Sequence, residues 1–181
     1  RAPSTETFLQ EWLAAKTSAR AQTTGIRYAQ TVAGFIKHLG TRATRPLSSL
    51  TARDVQAFTD FRLKGGCAPA TVRVDLKTLQ AALNRARRLA LIPSNPAESI
   101  ELAQGEAMER GTFTGEEIKL LVASATGEWR LLILCGFYLG ARLKDCCKIQ
   151  WSDIDLTAAT IKIRQSKTAK EILLPIHPTL L

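Results

Sequence analysis

The stretch FYLGARLKDCCKIQWSDIDL, residues 137–156, ends an apolar run and begins a charged pair. The apolar run stops at Gly140, and Arg142 and Asp145 follow it, three residues apart. Residues at this spacing are neighbours on a helix, so the carboxylate is able to orient the guanidinium. Arginine binds phosphate oxygens through two parallel N–H groups. The pair is therefore either a phosphate ligand held by its own acid or an ordinary surface ion pair.

The periodicity changes after this stretch. Residues 160–165 (TIKIRQ) and 171–176 (EILLPI) have the composition of two β-strands, which SKTAK joins. Lys167 lies at the tip of this predicted hairpin. A flexible amine in such a place can reach an anionic ligand, although plain solvation is the commoner state of a lysine in a turn.

Helices are predicted for most of the remaining chain. Residues from about 5 to 91 indicate four helices, the fourth running from Pro69 to about Leu89. In the second half, Thr114 and Glu117 fit a capping box, and two more helices follow before the strands. The fourth helix has an apolar face at helical spacing that we expect to face a core: Val72, Leu76, Leu79, Leu83, Ala86 and Ala90.

A second face of the fourth helix is basic and rich in amides: Arg73, Lys77, Gln80, Asn84 and Arg87. Such side chains contact phosphates and base edges in DNA complexes. The second helix offers a similar surface, made of Thr24, Arg27, Gln30 and Thr31. We predict DNA contact by both sets, and an ordinary solvated surface is the alternative.

The composition between the halves is that of a linker, because residues 91–111 hold two prolines and two glycines. We therefore predict a helical domain over 1–92, a linker over 93–111 and a second domain over 112–181. The expected fold is mainly α, with a four-helix N-terminal domain. The second domain is expected to be a partial α+β domain with a small antiparallel hairpin.

The charge balance points to a polyanionic partner. Lys and Arg number 25 against 16 Asp and Glu, a formal net charge of +9. Nucleic acid is the first candidate for such a surplus, and an anionic membrane surface is the second. No apolar run approaches the ~20 residues that cross a bilayer, and we expect no membrane partner. The two histidines and four cysteines lack metal-ligand spacing, so we expect no metal and no cofactor.

The order of the motifs resembles the tyrosine recombinases, the phage integrase family. LGARLKD fits G-x-R-x-x-[DE], IQWSDIDL contains a W-x-D-I turn, and RQSKTAKEILLPIHP contains K-T-x-K followed by L-P-I. Each motif alone is weak, and the combination in this order is specific. The first half, with its four helices and Asn95-Pro96, is similar to the core-binding domain of that family.

The resemblance implies a catalytic role for three residues. Arg142 would hold the scissile phosphate, Asp145 would support Arg142, and Lys167 would protonate the leaving 5′ oxygen. Family members cleave and rejoin DNA through a 3′-phosphotyrosyl intermediate, without metal or nucleotide. The implied partners are double-stranded DNA and further copies of the intact protein on that DNA. The implied location is the cytoplasm of a prokaryote, at the nucleoid.

The chain departs from the family pattern beyond Lys167. No His-x-x-Arg motif is present, and Tyr28 and Tyr138 do not match the place of the nucleophile. We expect a recombinase fragment, truncated inside its catalytic domain, that binds DNA without cleaving it. A type IB topoisomerase, a non-catalytic DNA-binding regulator with the same fold and a basic helical adaptor for acidic proteins are the alternatives.

Overall fold

A computed structural model describes residues 2–17, 22–102 and 111–180. The chain divides into two compact units, Arg1–Ala107 and Met108–Leu181. The first unit contains the helices α1 (Thr5–Thr17), α2 (Gln22–Leu39), α3 (Ala52–Lys64) and α4 (Pro69–Arg88). The second contains α5 (Gly115–Ser124), α6 (Glu128–Leu139), α7 (Leu143–Cys146), β1 (Ile154–Asp155), β2 (Thr160–Arg164) and β3 (Glu171–Pro175).

The core of the first unit is built from one face of each helix. Phe35 of α2 and Phe58 of α3 meet edge to face at its centre, with ring centroids 5.2 Å apart. The apolar face predicted for α4 is buried over five positions: Val72, Leu76, Leu79, Leu83 and Ala86. Each of these side chains leaves water as the helix packs, which is the main stabilising contribution to such a unit.

Ala90 is the exception to the predicted apolar face. The N–H of Leu91 bonds to the carbonyl of Ala86 at 3.0 Å, so α4 closes with a Schellman turn. Ala90 is the residue that this turn places in the left-handed region, at φ +56°. It lies beyond the end of the helix and is exposed. The apolar periodicity of the sequence thus continues past the last residue of the helix.

The segment after α4 packs against the first unit, although its composition is that of a linker. Ile92, Ala97 and Ile100 are buried in the same core. Asn95 is also buried: its amide N–H donates to the carbonyl of Gln80 at 3.1 Å, and its side-chain oxygen accepts from the N–H of Ala97 at 2.9 Å. The prolines and glycines here mark turns, and part of the segment belongs to the helical unit.

The first helix of the second unit begins at a capping box. At the start of α5, the N–H of Thr114 donates to the Glu117 carboxylate at 2.8 Å, and the Thr114 hydroxyl accepts from the N–H of Glu117 at 3.3 Å. This confirms the predicted capping box. The last of the helices predicted before the strands is short, since α7 covers only four residues.

A three-stranded antiparallel sheet completes the second unit, in the order β1–β2–β3. Strands β2 and β3 are the predicted hairpin, with Arg164 opposite Glu171 next to the turn. Strand β1 is an addition, since a strand of two residues is too short to show alternation in sequence. The buried isoleucines Ile161, Ile163 and Ile176 form the core of this unit. The mainly α fold with a small antiparallel β-element is confirmed.

Asn95 gives a test of the packed segment. Asn95→Ala removes both hydrogen bonds and leaves the carbonyl of Gln80 and the N–H of Ala97 without those partners. We expect a loss of about 1–3 kcal/mol in the free energy of unfolding, measured by urea denaturation of the whole chain. The neighbouring exposed Ser94→Ala is the control and should change it by less than about 0.5 kcal/mol. Equal values for the two variants would contradict the packing of this segment against α4.

Candidate nucleic-acid interface

The turn after α6 places Arg142 at the start of the next helix. Gly140 ends α6 in the left-handed conformation, at φ +60°, which an L side chain rarely adopts. Arg142 then has extended backbone dihedrals and occupies the N-cap position of α7. Its side chain is 57% exposed. The guanidinium is thus presented to solvent from a fixed backbone position.

Asp145 is buried and joins two parts of the second unit. Its side chain is 2% exposed, and one carboxylate oxygen lies 3.9 Å from Nη1 of Arg142. The other accepts a hydrogen bond of 2.8 Å from the backbone N–H of Ser166. Hydrogen bonding from Ser166 lowers the pKa of Asp145, and the positive charges of Arg142 and Lys148 lower it further. The acid stays ionised between an exposed cation and the hairpin turn.

Lys167 follows Ser166 in that turn. The turn is closed by backbone bonds from Gln165 N–H to the carbonyl of Lys170, 2.9 Å, and from Ala169 N–H to the carbonyl of Gln165, 2.8 Å. Lys167 is exposed, and it makes no salt bridge within the described residues. Asp145 therefore fixes the backbone next to Lys167 and leaves the amine available.

Asp145 and Ser166 also line a polar cleft of about 890 Å³. Its basic lining residues are Lys148, Lys162 and Arg164. Lys162 is 3.8 Å from the carboxylate of Glu171 across the hairpin. Neither Arg142 nor Lys167 lines this cleft. The cleft is therefore not the predicted phosphate site.

The two tyrosines are packed in different units. Tyr28 lies against Trp12 in the first unit, with ring centroids 5.3 Å apart. Tyr138 stacks on His177 in the second, with centroids 4.1 Å apart and planes inclined by 18°. Tyr138 is half-buried. Each tyrosine ring thus packs against an aromatic neighbour in its own unit.

The polar face of α4 is partly occupied by the chain itself. The Gln80 amide donates to the carbonyl of Ala97 at 2.9 Å, and Arg87 pairs with Glu98 at 3.1 Å. Asn84 is half-buried, with its side-chain oxygen out of contact with solvent. Lys77 is exposed, and Arg73 is half-buried. The segment after α4 thus covers the second half of this face, around Gln80 and Arg87. It does not cover the first half, which contains Arg73 and Lys77.

The predicted surface of α2 needs one correction. Gln30 is exposed, and Thr24 and Arg27 are half-buried. Thr31 is 2% exposed, and its hydroxyl donates to the carboxylate of Asp75 at 2.7 Å. It lies inside the unit because α4 packs over this side of α2, so its side chain supports the surface from beneath.

Asp75 and Arg62 are interacting residues that sequence reasoning missed. Asp75 is the single acid of a basic helix, but it is 2% exposed and bonds to Nε of Arg62 at 3.1 Å. Helical spacing gives the signal, since position 75 lies three residues after Val72 and four before Leu79, on the buried side. Arg62 carries no comparable signal, because its partner is thirteen residues away.

The described residues contain neither a group of side chains suited to a metal ion nor a helix able to cross a membrane. In the second unit, the buried Cys135 and Cys146 are unpaired thiols. Burial raises the pKa of both thiols, which favours their neutral form.

The family model described as Phage integrase family matches residues 112–181. The integrase of Enterobacteria phage 434 is 27% identical over 132 residues, 72% of this chain and 36% of that protein. The integrase of Escherichia phage lambda is 26% identical over the same length, with the same two shares. The chain thus spans about a third of the length of these curated relatives.

Solved integrase structures have a similar fold. A lambda integrase tetramer bound to a Holliday junction has a TM-score of 0.82 at 24% identity, covering 99% of this chain and 53% of that one. A lambda integrase dimer bound to a COC′ core site gives 0.81 at 23% identity, with shares of 95% and 62%. The Tn1549 transposon integrase with circular intermediate DNA gives 0.77 at 12%, with shares of 99% and 62%.

The motifs that carry the resemblance all lie within the matched segment: residues 139–145, 149–156 and 164–178. The structural similarity, at these identities, concerns the fold and extends over both halves of the chain. The resemblance stated from the sequence is confirmed. Residues 112–181 of this chain thus match the phage integrase family in sequence.

Proposed function

We propose that this chain binds double-stranded DNA and supplies part of the strand-transfer site of a site-specific recombinase. The reaction is cleavage and rejoining of DNA through a 3′-phosphotyrosyl intermediate. The observation that carries the proposal is the shared acid: Asp145 contacts both Arg142 and the turn that bears Lys167. A carboxylate in this position orients the Arg142 guanidinium directly and the Lys167 amine through its turn, and its single negative charge cannot neutralise both.

Each residue then has a distinct role. Arg142 binds the non-bridging oxygens of the scissile phosphate and stabilises the charge that develops on them in the transition state. Lys167 donates a proton to the departing 5′ oxygen, which would otherwise leave as a poor alkoxide. Asp145 is a positioning residue, since its side chain is buried and faces the protein. The covalent bond to tyrosine conserves the phosphodiester energy for rejoining.

These 181 residues alone should bind DNA without cleaving it. The nucleophile of the family belongs downstream of Lys167, whereas Tyr28 and Tyr138 precede it and pack against Trp12 and His177. Lambda integrase has been solved as a DNA-bound dimer and as a tetramer on a Holliday junction. By analogy, the complete recombinase would act as a homo-oligomer on DNA, at the nucleoid of its host.

Titration of a duplex at two salt concentrations tests the binding part. Phosphate contacts release counterions, so the affinity should fall steeply, by about tenfold or more, between 50 and 200 mM salt. A nicked suicide duplex should give no covalent protein–DNA adduct on a denaturing gel. A chain that fails to bind duplex at low salt, or that binds acidic protein instead, would favour the adaptor alternative.

The start of α4 gives a more local test. Arg73→Ala combined with Lys77→Ala should weaken duplex binding by about tenfold or more. The salt slope should fall by about 2, roughly 1 for each cation removed from a phosphate. The melting temperature should change little, because both positions lie off the buried face of α4.

Arg45→Ala combined with Arg53→Ala is the matched control. Both arginines are exposed in the same unit, and the double variant removes the same charge outside the predicted face. An equal loss of affinity in the two double variants would mean that net charge alone drives binding. If the melting temperature falls together with affinity in the Arg73/Lys77 variant and not in the control, these residues stabilise the fold and the predicted DNA-binding face of α4 is wrong.

The role of Asp145 can be followed at Ser166. Asp145→Ala removes the acceptor of the Ser166 N–H. Because its hydrogen bond is lost, that amide should exchange with solvent several-fold faster, measured by NMR. The amide of Ala169, which bonds within the turn, is an internal reference. An unchanged exchange rate at Ser166 would contradict the hydrogen bond by which Asp145 of α7 holds the hairpin turn.

The pH dependence follows from the lowered pKa of Asp145, whose ordinary value is 3.8. A carboxyl with a lowered pKa in the folded state contributes its stabilisation fully above its unfolded pKa and loses it as the pH falls through the folded pKa. The difference in unfolding free energy between wild type and Asp145→Asn should therefore be constant above pH 3.8 and shrink below it. Acid titration of both proteins, followed by circular dichroism, measures this difference. A difference that stays constant far below pH 3.8 would oppose the assignment.

A further inference from the structure

The carboxylate of Asp75 joins three helices inside the first unit. It lies on α4 and accepts a hydrogen bond of 2.7 Å from the Thr31 hydroxyl of α2. Nε of Arg62, on α3, donates to its other oxygen at 3.1 Å. Nη2 of Arg27, on α2, lies 3.6 Å from the oxygen that Thr31 also contacts. A buried carboxylate needs such partners, because removing its charge from water is costly.

The charges of this cluster do not cancel. Two guanidinium groups share one carboxylate, so a net charge of about +1 remains by simple counting. The side chains of Arg27 and Arg62 are 36% and 32% exposed. Within residues 2–17, 22–102 and 111–180, hydrogen bonding of Arg62 to other side chains uses Nε alone. Its two Nη groups, which form the fork that suits phosphate, remain for an external acceptor.

Neutralising the charge of Asp75 does not need both arginines, since one guanidinium is enough. Arg27 also donates from Nη2 to the carbonyl of Thr71 at 3.4 Å, which holds the second guanidinium in place. The surplus positive charge and the two Nη groups of Arg62 then suit an external anion. We propose that Arg62 and Arg27 form a phosphate clamp for duplex DNA, and that Asp75 positions it. This inference rests on the proposed function, since it assumes that the chain binds DNA.

The clamp is separate from the polar face predicted on α4. Asp75 lies two residues from Arg73 and two from Lys77, and residues at that spacing do not face each other on a helix. A helix in the major groove has a phosphate backbone along each of its flanks. Two basic clusters on different sides of α4 are therefore compatible with one duplex, each contacting its own strand.

Arg62→Gln tests the clamp, because glutamine removes the charge and keeps an N–H donor for Asp75. Arg42→Gln is a matched control: Arg42 is 50% exposed and also pairs with a buried acid, Asp54, in the same unit. We expect Arg62→Gln to weaken duplex binding about tenfold and to reduce the salt slope by about 1. Arg42→Gln should leave both unchanged, with melting temperatures of the two variants measured alongside.

Asp75→Asn separates positioning from charge. Asparagine has the same shape and raises the net charge by one unit, so a bare electrostatic effect would tighten DNA binding. If Asp75 positions the arginines, affinity should fall several-fold despite the added charge. Binding is measured well below the melting temperature of each variant, so that all three are folded.

The outcomes separate the two proposals. Wild type that fails to bind duplex DNA overturns both the proposed function and the clamp. Wild type that binds, with Arg62→Gln and Arg42→Gln equal in affinity and salt slope, overturns the clamp alone. Tighter binding by Asp75→Asn would overturn the positioning role of Asp75. Weaker binding by both Arg62→Gln and Asp75→Asn, with Arg42→Gln unchanged, supports the clamp.

Discussion

A carboxylate that is buried away from water needs hydrogen-bond donors and cations around it, and each unit of the protein contains such a carboxylate. Asp75 and Asp145 are each almost fully buried. Each reaches a basic side chain that remains partly exposed, Arg62 in the first unit and Arg142 in the second. Asp75 bonds to Nε of Arg62, and Asp145 lies 3.9 Å from Nη1 of Arg142, whose side chain is still 57% exposed. In the proposed function, these two exposed cations contribute to the anion-binding surface.

The two buried acids differ in the kind of partner that they bind. Asp145 bonds to a backbone N–H, whose direction is set by a closed turn. Among the described residues, side chains alone bond to the Asp75 carboxylate, namely the hydroxyl of Thr31 and Nε of Arg62, and the guanidinium of Arg27 lies 3.6 Å away. A phosphoryl-transfer site requires a fixed geometry, whereas holding a flexible duplex tolerates more movement. The backbone partner is found in the unit that contains the motifs shared with the integrases.

Local features could be predicted from the sequence, and long-range ones could not. The capping box at Thr114 and the contact of Arg142 with Asp145 depend on three-residue spacings, which sequence shows directly. The bond from Ser166 to Asp145 spans 21 residues and uses a backbone amide, which no residue type identifies. Asp75 stands out in the sequence only as the lone acid of a basic helix. Asp75 is buried because α2 and α3 pack against α4, and the sequence of α4 alone does not reveal this packing.

If α4 contacts DNA as proposed, the segment that packs after it limits how many base pairs the helix can read. Bonds from Asn95 and Gln80, and the pair of Arg87 with Glu98, occupy its second half. Arg73 and Lys77 are four residues apart, about 6 Å along the helix axis. The rise of the duplex is about 3.4 Å per base pair, so this length corresponds to about two base pairs. A recombination site longer than that must be distinguished by other surfaces or by the shape of the DNA itself.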